Sequence, residues 1–263
     1  MVKFIVTFVL ALCPLASHAD KVYSFGILPG LPPITLEKRF GPLVDKLSEQ
    51  LQQDVVLRTR ATYSDYNDAL LKEEFDIALI DGFTYLKLRQ STQYRGLVRK
   101  QTDFHASLLT FNPEIKSIAQ LKNLTIAFPA PEAGVTRVVT KMLQDEGLGS
   151  GDYTARFYGE HASCLVATVT GSAAACATSL PMAQEMRASR ADEVTIIGES
   201  PSYPHMLLVV GPRLGSQLNE LKQWFLQLNE EPETIALLQE TFLYPVGEID
   251  NAAYESLRDL LNE

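Results

Sequence analysis

Residues 124–144, LTIAFPAPEAGVTRVVTKMLQ, contain the succession of parts that decides the fold. Residues 124–128 form a short apolar run typical of a buried strand, residues 129–134 form a turn, and from Val135 onward the valines and Met142 recur at helical spacing. In a parallel sheet such a turn lies at the carboxyl edge, where the free N–H groups of the next helix point toward a ligand. The stretch is therefore a candidate ligand-binding turn, and the alternative is an ordinary strand-to-helix connection.

The same succession of strand, turn and helix recurs elsewhere in the chain. Alternation of this kind predicts an α/β protein with a mostly parallel sheet, whose ligands bind at the carboxyl ends of the strands. The predicted strands are 22–28, 55–57 and 75–80, and the helices that follow them are 40–51, 63–73 and 83–90.

The first 19 residues have the pattern of a secretory signal peptide. A basic residue, Lys3, precedes the apolar run 4–12, and the small residues Ser17 and Ala19 occupy the positions that define a cleavage site. We therefore predict cleavage after Ala19 and a periplasmic location. Cys13 suggests a lipoprotein as the alternative, but a lipid-attachment cysteine follows a small residue, and Leu12 is large.

The composition of the remaining chain limits its partners. Removal of residues 1–19 leaves 244 residues with a formal charge of −10, so we expect binding neither to nucleic acid nor to anionic membranes. No later segment approaches the ~18 consecutive apolar residues of a membrane span, so stable membrane insertion is not expected. The histidines show no spacing typical of metal ligands, and no cofactor is predicted.

Two cysteines, Cys164 and Cys176, remain after removal of the signal peptide. An even pair in an oxidising compartment suggests a disulfide that closes a loop of about a dozen residues. The alternative is a nucleophile built from Cys164 and His161, because residues at i and i+3 are neighbours on a helix.

Seven stretches, in order over nearly the whole mature chain, resemble the phosphate/phosphite/phosphonate-type periplasmic solute-binding proteins of ABC importers. No single stretch is highly specific, but the ordered set is. They are FGILPGLPP (25–33), RFGPLVDKLSEQL (39–51), FDIALIDGFTYLKL (75–88), SIAQLKNLTIAFPAP (117–131), YGEHASCLVATVTGSAAACATS (158–179), PSYPHMLLVVG (201–211) and VGEIDNAAYESL (246–257).

The resemblance implies a two-lobed type II periplasmic binding-protein fold. Each lobe would be a mixed, mostly parallel sheet flanked by helices, and two hinge strands would join the lobes. Residues 20–103 and 205–263 would form one lobe, and residues 104–204 the other. The lobes would close over a ligand in the cleft by a hinge motion.

The turn at 131–136 departs from the sequence of the relatives that it resembles. Relatives that bind phosphonates have Ser-Thr-Ser-Gly there, whereas this chain has PEAGVT. Glu132 suits the start of a helix, but it would repel a bound phosphate if it faced the cleft. Thr136 is expected to replace one of the hydroxyl groups. A ligand with a positive or neutral group is the alternative to a phosphate-like ligand.

By the same resemblance, other ligand contacts are expected at strand ends and helix starts. Ordinary structural roles are the alternatives, because aromatic residues of amphipathic helices usually pack in the core. Tyr66 is an alternative to Tyr63, and Asp81 is expected to cap the next helix rather than to touch the ligand. The expected contacts are Phe25, Tyr63, Phe83, Tyr85, His161, Ser163 and Ser179.

The sequence favours a monomeric binding protein that captures a small polar molecule for an ABC permease and catalyses no reaction. A second hypothesis is a sensory binding protein that reports its ligand to a membrane histidine kinase or chemoreceptor. A third is an enzyme that uses Cys164 and His161.

Overall fold

The computed structural model describes residues 22–190 and 193–261, so the predicted signal peptide lies outside the described residues. The strands are β1 Tyr23–Gly26, β2 Val55–Arg58, β3 Ile77–Ile80, β4 Arg95–Lys100, β5 Ala106–Thr110, β6 Thr125–Phe128, β7 Thr154–Phe157, β8 Ala175–Ser179, β9 Thr195–Glu199, β10 Leu207–Val210 and β11 Val246–Gly247. The helices are α1 Pro33–Leu51, α2 Tyr63–Leu71, α3 Gly82–Ser91, α4 Gly134–Asp145, α5 His161–Val169, α6 Leu180–Ser189, α7 Leu218–Gln227, α8 Pro232–Glu240 and α9 Asn251–Glu255.

The strands form two mixed sheets, which confirms the predicted α/β fold class, but the sheets are not mostly parallel as predicted. The first sheet has the order β11-β4-β10-β3-β1-β2, and the second has the order β7-β6-β8-β5-β9. Parallel pairing is confined to three strands of each sheet, namely β1 with β2 and β3, and β6 with β7 and β8. The other strand pairs, which include those of β5 and β10, are antiparallel.

The chain passes from the first sheet to the second and back again. Phe104 and Tyr203 lie on these two passages and pair as an antiparallel bridge, with N–H···O distances of 2.7 and 2.9 Å. We call the first sheet with its helices lobe 1 and the second sheet with its helices lobe 2. The boundaries predicted for the lobes remain a proposal.

Apolar packing explains why the predicted helices form where they do. In α1, Phe40, Leu43 and Leu47 are buried at helical spacing, and Pro33 supplies the first helical residue, where a missing N–H costs nothing. The apolar face of α4 is likewise buried. One cluster of buried side chains continues across the lobes, because Phe83 of lobe 1 lies against the start of α4, where a Cβ on Gly134 would be 3.4 Å from its ring.

A disulfide joins Cys164 of α5 to Cys176 of β8, and their Cα atoms are 5.7 Å apart. The predicted disulfide is therefore present. Because the Cys164 sulfur is bonded, it is not available as a thiolate nucleophile, which removes the basis of the Cys164–His161 enzyme hypothesis.

We predict that replacing both cysteines with alanine lowers the free energy of unfolding by about 3 kcal/mol, since the crosslink restricts the unfolded chain. Urea unfolding of the wild type with and without reductant is the matched control, and reductant should have no effect on the variant. Equal stability of oxidised wild type and double variant would contradict the prediction.

Candidate ligand-binding site

A cavity of about 680 Å³ lies between the two lobes. We call it the interlobe cavity. All of its lining residues follow the carboxyl ends of parallel strands, β1 and β2 in lobe 1 and β6 and β7 in lobe 2. This is the edge at which α/β sheets bind ligands. Lobe 1 contributes Pro29 and residues 61–64, and lobe 2 contributes residues 130–132 and 158–160 with Ser163.

The helix starts around the cavity differ between the lobes. In lobe 1, the Thr62 side chain caps α2 by accepting from the N–H of Asp65, and the Asp81 carboxylate caps α3 by accepting from the N–H of Thr84 at 2.8 Å. The predicted role of Asp81 as a cap is thereby confirmed. In lobe 2, no side chain caps the start of α4 or of α5. The first N–H groups of these two helices therefore remain available to a ligand.

Thr136 has a different role from the one expected of it. Its hydroxyl donates to the buried carbonyl of Ala130 at 2.6 Å, so its single proton holds the turn that precedes α4. Ligand contact by Thr136 remains a prediction, although the structure engages its hydroxyl proton with Ala130. A hydroxyl on the first turn of a helix can donate to the preceding backbone or point toward a ligand. The sequence does not distinguish these two directions.

Three other expected contacts lie away from the interlobe cavity. Phe25 is fully buried in the core of lobe 1. Tyr85 packs against Tyr254 with ring centroids 5.2 Å apart, and its hydroxyl donates to Asn251 Oδ1 at 2.8 Å, in a separate pocket. Ser179 lies at the end of β8 and is not among the residues that line the cavity. Phe25 and Tyr85 thus have packing roles in the structure, and ligand contact by Phe25, Tyr85 and Ser179 remains a prediction.

The structure brings Tyr63, Glu132 and Ser163 together around the interlobe cavity. Burial raises the pKa of the Tyr63 hydroxyl well above its usual value, and the negative charges of Asp81 and Glu132 raise it further. Tyr63 is therefore a neutral hydrogen-bond donor at physiological pH. Ligand contact by these three residues remains a prediction.

His161 opens α5, where its Nδ1 atom is enclosed and has no hydrogen-bond partner among the described residues. Burial lowers the pKa of its ring to about 4, so the ring is neutral at pH 7. Two residues that sequence reasoning missed also have an enclosed polar atom without a hydrogen-bond partner among the described residues, namely Asn67 through Oδ1 and Arg137 through Nε. Buried polar atoms nearly always have partners in folded proteins. Asn67 lies one turn after Tyr63 on α2, and Arg137 is on the first turn of α4.

Arg137 extends from lobe 2 toward lobe 1. Its guanidinium carbon is 5.8 Å from the ring centroid of Phe83. Burial raises the pKa of the Asp81 carboxyl, while the Thr84 N–H and, more weakly, the positive charge of Arg137 lower it. Asp81 and Arg137 thus attract each other across the lobes without forming an ion pair in the described part of the chain. The sequence signal for Arg137 was a single arginine among the buried valines of α4.

The fold is that of solved two-lobed binding proteins. One is PhnD1 from Prochlorococcus marinus (MIT 9301), in complex with methylphosphonate, with a TM-score of 0.82, 19% identity and coverage of 92% of this chain and 98% of that chain. Another is a binding protein component of an ABC phosphonate transporter from Pseudomonas aeruginosa, with a TM-score of 0.80, 15% identity and coverage of 92% of this chain and 86% of that chain. A third is the aliphatic sulphonate binding protein SsuA from Escherichia coli, with a TM-score of 0.61, 14% identity and coverage of 92% of this chain and 92% of that chain. At these identities, the similarity shows the fold alone.

The fold and the interlobe cavity define a two-lobed solute-binding protein. Residues 25–254 match the model of the family described as ABC transporter, phosphonate, periplasmic substrate-binding protein. The chain belongs to this family, which confirms the resemblance found in the sequence. Within residues 22–190 and 193–261, no helix is long and apolar enough to cross a membrane.

We predict that Thr136→Val lowers the free energy of unfolding by about 0.5–1.5 kcal/mol, because the buried Ala130 carbonyl loses one of its two hydrogen bonds and keeps only that from the N–H of Ala133. Thr136→Ser keeps the hydroxyl and is the matched control. Urea unfolding of the two variants checks the prediction, which fails if valine is tolerated as well as serine.

We also predict a pH dependence that arises from His161. Because its folded pKa of about 4 lies below the ordinary value of 6.5, the unfolded chain binds a proton that the folded chain excludes between these values. The stabilisation is fully present above about pH 6.5 and is lost as the pH falls toward 4. The free energy of unfolding should therefore fall less steeply over this range in His161→Gln than in the wild type. Identical slopes would rule out this role of His161.

Proposed function

We propose that this protein is exported to the periplasm through cleavage after Ala19, where it captures a small ligand with an oxyanion group, phosphonate-like or related, for an ABC permease. The observation that carries the proposal is the interlobe cavity, which in lobe 2 is lined by the turn before α4 and by the start of α5, two helices without side-chain caps. Such helix starts favour anionic groups through their free N–H donors and their dipoles. PhnD1, which shares the fold, is in complex with methylphosphonate.

Ligand contact with both lobes gives a physical basis for delivery. A ligand shifts the equilibrium between open and closed arrangements only by its difference in affinity for the two. Tyr63 of α2 and the starts of α4 and α5 face the same cavity from opposite lobes, so a bound ligand touches both lobes only when they are close together. The closed, liganded form then presents a surface that the permease distinguishes from the open form. We propose that the protein acts as a monomer.

We expect methylphosphonate, or another oxyanion from a panel with phosphate, phosphite and sulphonates, to raise the melting temperature of the mature protein. At a hundred times the dissociation constant, a ligand stabilises by about 2.7 kcal/mol, which a thermal-shift assay detects. Amines without an anionic group are the control. Stabilisation by these amines with none by any oxyanion would contradict the proposal.

A sensory output is the second hypothesis, and it keeps the same fold and cavity. No feature of the sequence distinguishes a sensory output from transport. Deletion of the gene would separate the two outputs. Lost uptake of the ligand supports transport, whereas altered signalling with intact uptake supports a sensor.

A further inference from the structure

We propose that lobe 1 carries a second binding site, which takes a small polyanion such as a diphosphate or a tricarboxylate. The site is the separate pocket that contains Tyr85 and Asn251, a cavity of about 380 Å³ between α3, the first half of β4, α7 and the start of α9. Cavities of this size hold small molecules. The inference goes beyond the proposed function, because this pocket is distinct from the interlobe cavity.

The first step is the position of the separate pocket in the sheet of lobe 1. Residues 95–97 of β4 line it, and Arg95 pairs with Val210, which in turn pairs with Ile77, the first residue of β3. The pocket therefore lies at the amino end of β3, whereas the interlobe cavity lies at the carboxyl edge of the same sheet. On its other side, β4 pairs with β11 only through its last two residues, so no described strand fills the space beside residues 95–97.

The second step is the charge of the lining. Three of the described residues that line the separate pocket are cationic, namely Arg89, Arg95 and Lys222, and none of them is acidic. The interlobe cavity shows the reverse, because Glu132 and Glu160 line it together with no described lysine or arginine. Three cations around one cavity reverse the overall charge of this chain, which is −9. A polyanion is the electrostatic complement of such a cavity.

The third step is that the protein neutralises these cations only in part. Arg89 Nη1 is 3.1 Å from Glu255 Oε1, and the Arg95 guanidinium donates to the carbonyl of Gly215. These contacts orient two guanidinium groups, each of which has further N–H donors. The half-buried Lys222 makes no ion pair with another described residue. The pocket therefore offers oriented donors and one ammonium group without a carboxylate partner.

The fourth step is the rigidity of the base of the pocket. Tyr85 is buried, and its hydroxyl donates to Asn251 Oδ1 at 2.8 Å, so the amide protons of Asn251 are left for another acceptor. A Cβ on Gly96 would be 2.7 Å from the Tyr85 hydroxyl and 2.6 Å from Ile249 Cδ1, so only glycine lets both side chains lie against the strand. A site that is formed before binding needs little ordering of its side chains.

A competing explanation gives the three cations no ligand. In that view Arg89 ties α3 to α9, Arg95 ties β4 to the turn before α7, and Lys222 is an ordinary solvated side chain. Polyanions would then be attracted only by the general field of the surface, and removal of any positive charge from this face of lobe 1 would weaken them equally. The proposal requires instead a loss that is specific to the residues of the pocket.

The test is calorimetric titration of the mature protein with pyrophosphate and with citrate at about 0.15 M salt, where exposed charges are screened beyond about 8 Å. At least one of the two polyanions should bind with one-to-one stoichiometry, and the tighter one identifies the chemical class. Lys222→Gln and Arg95→Gln should each weaken this binding about 10-fold, whereas Lys222→Arg keeps the charge and should retain most of the affinity.

Lys87→Gln is the matched control, since Lys87 is an exposed lysine of α3 that does not line the pocket, and it should bind as the wild type does. Melting of each variant without ligand shows whether it is folded. Saturating methylphosphonate should leave the affinity for the polyanion unchanged, because the two sites are separate.

Three results would overturn the inference. They are binding of neither polyanion by the wild type, unchanged affinity in Lys222→Gln, or a loss in Lys87→Gln equal to that in Lys222→Gln. Displacement of the polyanion by methylphosphonate would also overturn it, because the polyanion would then occupy the interlobe cavity. The proposed function is tested separately by the thermal screen.

Discussion

Two backbone hydrogen bonds between Phe104 and Tyr203 pair the segments by which the chain crosses between its sheets. Side chains support this pairing. The Ser202 hydroxyl donates to Asp103 Oδ2 at 2.8 Å, and the Phe104 ring meets the His205 ring edge to face at 5.7 Å. Because the chain leaves and re-enters the first sheet through paired segments, the orientation of one sheet relative to the other is restricted. The crossing therefore brings the carboxyl edges of both sheets to one cavity.

The two sides of the cavity are chemically different because their helices start differently. In lobe 1, Thr62 and Asp81 each accept from one N–H at the starts of α2 and α3, whereas no side chain caps α1. The starts of α4 and α5 have no such cap, and Thr136 is turned inward to Ala130. Under the proposed function, an anionic group of the ligand would therefore bind on the lobe 2 side.

Local spacing was enough to predict β1, β2, β3 and β6 and the helices that follow them, because alternation and helical periodicity are short-range signals. The order of motifs was enough to predict the two lobes. The surroundings of the predicted ligand contacts depend on residues that are distant in the sequence. Tyr85 bonds to Asn251, far away in sequence, and Phe25 is buried by helices that the local pattern does not place. Arg137 was missed for the same reason, since only the packing of one lobe on the other gives its direction toward Phe83.

A crystal structure of the mature protein with the most stabilising compound of the ligand panel tests the central claim most directly. The account predicts ligand density between the starts of α4 and α5 and the Tyr63 face of α2, with an oxyanion within hydrogen-bond distance of the first N–H groups of these two helices. Density confined to the separate pocket around Tyr85 and Asn251, or contacts to one lobe alone, would contradict it.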